Sequence, residues 1–214
     1  EQVALQSKQL ADLCRAYGML TVNVLEKHPI GHISLAANYK DKQPFDTITY
    51  EEVQSWTEEE NGIGERAEFS LSALKKFLSE VKEQVLRPDH SIKDTQWVEL
   101  MAPLTDEDFD LTCIKGTDPA KEAYSWFDGT TLDHELNERE INHLIIGGLA
   151  TDYCIWNTAL DARKYGYEVT LVTDAIRGVA EETTKEMLNL LQVNGVSYIT
   201  TEELKTILQK KFKI

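Results

Sequence analysis

A few residues of this chain have types and settings that could do chemistry, and Cys154 is the first of them. It lies in GGLATDYCIW, residues 147–156, after the apolar run HLIIGG and before an amphipathic run, so it falls where a strand gives way to a helix. If Thr151 caps that helix, Cys154 sits in its first turn, where backbone N–H groups and the helix dipole favour a thiolate. The same N–H groups could hold a developing oxyanion, and the two glycines before the turn allow close approach to a ligand. A packed, inert thiol is the competing reading. Glu26 and His28 are two apart just past a β-rich stretch, so in extended backbone their side chains point the same way. With a third ligand, for which His32 and His90 are available, they could hold a divalent cation and leave positions open for water and substrate. Solvated surface groups are the alternative there. Lys115 ends the stretch LTCIKG, where a lysine is ordinarily just solvated.

These residues need elements to position them. Leu10, Leu13, Cys14 and Tyr17 recur at helical spacing, and Gly18 stands where a C-cap would, which predicts a first helix ending at Tyr17. MLTVNVLE reads as a strand, and the polar stretch from Lys27 to Asn61, with Pro29, Gly31 and Pro44, as a long functional loop. Apolar spacing through Leu71, Leu74, Phe77, Leu78, Val81 and Val85 predicts a long helix over 69–86, ended by Pro88. DLTCIKG is a strand. The last third alternates: strand HLIIGG, helix 151–165, strand YEVTLVTDA, helix 181–193, strand VSYIT and helix TEELKTILQKKF. Short connections between alternating strands and helices imply an α/β doubly wound, mostly parallel sheet with helices on both faces. The expectation is a single domain over 1–214. The chain opens almost directly with a helix, although a strand usually comes first in such a fold.

Composition narrows the partners. Lys plus Arg total 22 against 37 Asp plus Glu, a net charge of -15, which repels a phosphate backbone and argues against nucleic acid. No apolar run is long enough to span a membrane. Cys14, Cys113 and Cys154 are widely spaced with no CxxC, which suggests neither a disulfide framework nor a thiolate zinc site, and fits a reducing, cytoplasmic setting. Cys14, on an apolar helix stripe, and Cys113, inside a strand, read as packed thiols.

GGLATDYCIWNTALDARKYGYEVTLVTDA resembles the signature of the nicotinamidase group within the isochorismatase-like cysteine hydrolases. The resemblance implies that Cys154 attacks a carboxamide carbon, that ammonia leaves, and that water hydrolyses the thioester. It implies a cis peptide just before Ala150, with the backbone N–H groups of Ala150 and Cys154 lining the oxyanion hole and Leu149 beside the pocket. KGTDPAKEAYSWFDG is similar to the family's KG stretch followed by YSxF, which implies that Lys115 stabilises thiolate and oxyanion and that Tyr124 and Phe127 help form the substrate cavity. EKHPIGHISLAANYK and RPDHSIKDTQW resemble the DWHPxxHxSFA and WPxHCVxxT stretches, which implies a divalent metal, zinc first among the candidates, on Glu26, His28 and His90, with His32 structural. The substrate so implied is nicotinamide or a similar small heteroaromatic carboxamide, oriented by its ring nitrogen, and homo-oligomers are common in the family.

The sequence departs from the pattern in three places. Glu26 stands for the usual aspartate, Lys27 for the tryptophan of DWHP, and Arg87 for the tryptophan of WPxH that flanks the substrate ring. The family's first-strand DxQxDF motif, whose aspartate accepts the thiol proton, has no counterpart in these residues, since QVALQSKQLADLCRAYG matches the first helix. A catalytically silent protein of the same fold, acting as a structural or interaction subunit, is therefore the rival reading.

Overall fold

The computed structural model describes residues 2–212, apart from the side chain of Trp97. Along the chain run α1 (Gln2–Ala16), β1 (Val22–Glu26), β2 (Thr47–Thr49), α2 (Tyr50–Gln54), α3 (Leu71–Val81), β3 (Glu83–Val85), β4 (Leu111–Lys115), α4 (Leu132–Glu138), β5 (His143–Leu149), α5 (Trp156–Lys164), β6 (Glu168–Arg177), α6 (Glu181–Val193), β7 (Ser197–Ile199) and α7 (Thr201–Phe212). The fold is α/β, as the alternation in the last third requires. The chain divides into two compact units, one of Glu1–Val24, Leu100–Cys113 and Tyr124–Ile214, the other of Leu25–Glu99 and Ile114–Ala123.

In the first unit β5, β6 and β7 form a parallel sheet in that order, with Ile145 opposite Thr170 and Leu171 opposite Tyr198. The register slips between Ile146 and Gly148, so that Gly148 faces Ile176 and Leu149 faces Arg177. The core on one side gathers Ile146, Ile155, Ala159, Val169 and Leu171; on the other, Leu10 and Cys14 of α1 meet Val172, Ala175, Leu204 and Leu208. Helices thus cover the sheet because apolar residues of β6 alternate between two faces. Gly18, Gly166 and Gly195 follow α1, α5 and α6 with positive φ, the left-handed stop that the sequence pattern anticipates. β1 pairs with β4.

In the second unit, two expectations are corrected. The helix foreseen over 69–86 ends at Val81; Lys82 turns left-handed at φ 74, and Glu83–Val85 form β3, antiparallel to β2. Val81 and Val85, which carried the helical spacing beyond Leu78, are 46% and 36% exposed, while Gln84 is buried. A hairpin-like pairing thus overrides the helical period once Leu71, Leu74, Phe77 and Leu78 have filled the core with Ile48 and Val53. The stretch 27–61 is likewise no single loop, since it contains β2 and α2, whose first turn is capped by the Thr49 hydroxyl accepting from the Glu52 N–H.

Candidate active site and metal centre

Cys154 belongs to the first unit. It does not lie in an α-helical first turn: Thr151–Ile155 form a single π-turn and α5 begins only at Trp156, which corrects the helix foreseen from residue 151. The Ala150 carbonyl accepts from both the Tyr153 and Ile155 N–H groups, the second bond spanning five residues. Thr151 and Ile155 are fully buried, so they root the turn, while Asp152, Tyr153 and Cys154 form its half-buried part. The Leu149–Ala150 peptide is cis. Leu149 is 57% exposed at the end of β5. Tyr124 is half-buried, whereas Phe127 packs into the core, its ring 5.1 Å from that of Tyr165 and 6.0 Å from that of Tyr167.

The other two cysteines differ from Cys154 in setting. Cys14 and Cys113 are buried, Cys154 only partly. Burial pushes the Cys14 thiol up to about 11 and raises that of Cys113.

Glu26, His28, His90 and Lys115 come together in the second unit. One donor atom from each of Glu26, His28 and His90 lies within 4.8 Å of the other two. His28 donates from Nδ1 to the Gly116 carbonyl at 2.9 Å, and His90 from Nδ1 to the Pro88 carbonyl at 2.9 Å. Those bonds fix the tautomer and leave both Nε2 lone pairs facing one carboxylate oxygen, Glu26 Oε2, at 3.4 and 3.3 Å. His28 Nε2 is buried with no hydrogen-bond partner. With both imidazoles neutral, three lone-pair donors converge in an arrangement that a cation completes, and a carboxylate with two imidazoles is a donor set suited to zinc and similar divalent ions.

The surroundings hold this cluster in place. Lys115 is buried and donates to Glu26 Oε1 and, at 2.7 Å, to the Ala123 carbonyl. Burial alone would raise the Glu26 carboxyl, but the charge of Lys115 beside it works the other way and keeps the group ionised. Gly116, at φ +69, lies so close to His28 that an added Cβ would stand 2.7 Å from the ring. That glycine was missed in the sequence except as the second letter of KG. His32 is not part of the cluster. Its Nδ1 accepts from the Ser34 hydroxyl at 2.8 Å, its Nε2 donates to the Lys121 carbonyl at 3.0 Å, and burial followed by the nearby His28 drives its pKa down to about 3. A neutral structural histidine results.

A cleft of about 610 Å³ in the same unit is lined by Lys27, Pro29, Lys93, Ile114 and Thr117 among others. None of Glu26, His28, His90 and Lys115 lines this cleft.

The fold and the motif residues define an isochorismatase-type hydrolase. Residues 1–203 match the Isochorismatase domain, and the chain belongs to that family, within its nicotinamidase group. It is 29% identical over 179 residues to the nicotinamidase of Escherichia coli, a match covering 81% of this chain and 70% of that protein. Among solved structures it is similar to an Acinetobacter baumanii nicotinamidase pyrazinamidase, with TM-score 0.73 and 28% identity over 94% of this chain and 85% of the other. It is also similar to the pyrazinamidase of Pyrococcus horikoshii in complex with zinc, with TM-score 0.67 and 25% identity over 93% and 85% of the two chains. No helix among the described residues is long and apolar enough to cross a membrane.

Proposed function

We propose that this chain is a nicotinamidase-like amide hydrolase that converts nicotinamide, or a similar small heteroaromatic carboxamide, to the acid and ammonia through a cysteine thioester, with residues 1–214 acting as one hydrolase domain. The observation that carries the reading is the cluster of Glu26, His28 and His90, whose two imidazoles are locked with their Nε2 atoms toward one carboxylate oxygen. These three residues would hold a divalent cation, zinc for preference, and the cation would supply a Lewis-acid anchor for a ring nitrogen. The match to a relative solved with zinc supports the same choice.

Cys154 attacks the carboxamide carbon, forming the C–S bond while the thiol proton passes to a general base. The Ala150 and Cys154 N–H groups receive the developing oxyanion at the cis turn. Collapse breaks the C–N bond, the base returns its proton to the departing nitrogen, and ammonia leaves. Water then attacks the thioester, giving up a proton to the same base and restoring the thiol. Lys115 lends its charge to thiolate and oxyanion, and Tyr124, Phe127 and Leu149 shape the substrate cavity. The acid product would enter pyridine nucleotide salvage in the cytoplasm, and the family resemblance allows a homo-oligomer or larger assembly.

The base that the family resemblance implies is a first-strand aspartate, and none of these residues is assigned that role.

The test is ammonia release from nicotinamide by the full-length protein supplied with zinc, set beside Cys154→Ala, His28→Ala and His90→Ala. Activity should be lost with the cysteine, and metal content with either histidine. Silence of the wild-type protein, metal supplied, would favour the scaffold or interaction role instead.

A further inference from the structure

The turn that bears Cys154 is gripped at two places by one segment, residues 176–183. On the near side the strand register, after its slip, pairs Gly148 with Ile176 and Leu149 with Arg177. On the far side Asp152 Oδ1 accepts from the Val179 N–H at 2.9 Å, and Oδ2 accepts from the Ala180 N–H at 3.1 Å and from the Thr183 hydroxyl at 2.7 Å. Residues 149–152, including the cis peptide and Ala150, are thus held between a strand ladder and a carboxylate. We propose that Asp152 is a positioning residue that sets the orientation of the Cys154 thiol by clamping its turn to the entry of α6, a proposal that rests on Cys154 being the nucleophile.

The chemistry favours an anion at this position. α6 has no side-chain cap from its own N-cap residue, Ala180. Asp152 takes up the Val179 and Ala180 N–H groups just before the helix and the Thr183 hydroxyl in its first turn, and the positive end of α6 favours the carboxylate charge that stands two residues from the thiol. Burial would raise the Asp152 carboxyl, yet the Val179, Thr183 and Ala180 donors hold its pKa below the ordinary value, so the clamp is charged at neutral pH. The space is built for it: a Cβ at Gly178 would stand 1.7 Å from Thr184 Oγ1 and 3.1 Å from Asp152 Oδ1. Thr151 and Ile155 anchor the turn below, and the clamp fixes the half-buried residues above, where displacement by about 1 Å can cost on the order of 10²-fold in rate.

Asp152→Asn keeps the shape but places an amide N–H against donors, and Thr183→Val removes one of the three bonds while leaving the charge. Per folded molecule, we expect kcat for nicotinamide to fall at least about 10-fold in Asp152→Asn and severalfold in Thr183→Val, with KM and zinc content within about twofold of wild type. A role in stability alone would lower the melting temperature and leave kcat per folded molecule unchanged, as expected of a control such as Thr21→Val. Carboxamidomethylation of Cys154 by iodoacetamide without substrate should also change severalfold in Asp152→Asn. An unchanged kcat and an unchanged alkylation rate overturn the proposal. If Asp152→Asn does not fold, Thr183→Val decides by the same two readouts. If the wild type shows no Cys154-dependent ammonia release, the hydrolase reading fails by itself, and the alkylation rates still decide whether Asp152 orients the thiol.

Discussion

The charged residues that matter in this molecule are seldom solitary; each is held by donors that fix its state. Asp110 accepts from the Thr21 N–H at 2.8 Å and the Thr21 hydroxyl at 2.9 Å, which joins the approach to β1 with the approach to β4. Those bonds, the backbone one first, lower its pKa. A carboxylate depressed in the folded state stabilises above its unfolded value, near 4, and the contribution is lost as pH falls through the folded value. Asp110 is well exposed, so after solvent screening we expect Asp110→Asn to cost at most about 1 kcal/mol at pH 7. The cost should shrink toward zero below about pH 3, read by urea unfolding at the two pH values. A difference that grew on acidification would contradict the assignment. At this scale Glu26, His28, His90 and Cys154 were all legible as candidates, because each sits in a short run whose spacing constrains direction. What Glu26 shares with Lys115 was not legible, since it depends on a pairing 89 residues apart in the chain.

At the scale of elements, the turn from β6 into α6 is the tightest place. Gly178 leaves no room for a side chain, because Thr184 Oγ1 occupies the site of its absent Cβ. Gly178→Ala should cost roughly 1–3 kcal/mol, and Thr184→Ala in the same chain should restore part of it. Thermal unfolding of the single and double variants measures the coupling, and strictly additive losses would show that the two residues do not compete for one space. The elements also show where sequence patterns mislead. Regular alternation, with glycines at the helix ends, made α5 to α7 and their strands readable. The segment after Leu78 was not, because valines at helical spacing are equally good strand residues, and only the partner strand Thr47–Thr49 decides between them. The π-turn at Thr151–Ile155 was hidden for a similar reason: the apolar pattern of a helix shifts by only one residue when a π-turn opens it.

At the scale of the whole molecule, a net charge of -15 makes a bound divalent cation doubly welcome, since it relieves local and overall repulsion at once. Zinc present at 100 times its Kd should raise stability by about 2.7 kcal/mol, and chelation should remove the gain. Calorimetry with and without zinc tests this, and a zinc-dependent rise that survives in His90→Ala would move the ion to another site. The family and the doubly wound architecture could be read from the last third of the chain alone. The division into two compact units could not, because one of them is assembled from two separated stretches of sequence, Leu25–Glu99 and Ile114–Ala123.

The uneven burial of the three thiols leaves one addressable sulfur among the described residues. With Cys14 and Cys113 buried, and Cys154 partly open, a bulky electrophile or a spectroscopic label should load at a single position without any cysteine being engineered away. Among the described residues Cys154 is therefore ready for stoichiometric tagging, and mass spectrometry after brief labelling of residues 1–214 should find one adduct, on the peptide that carries ATDYC.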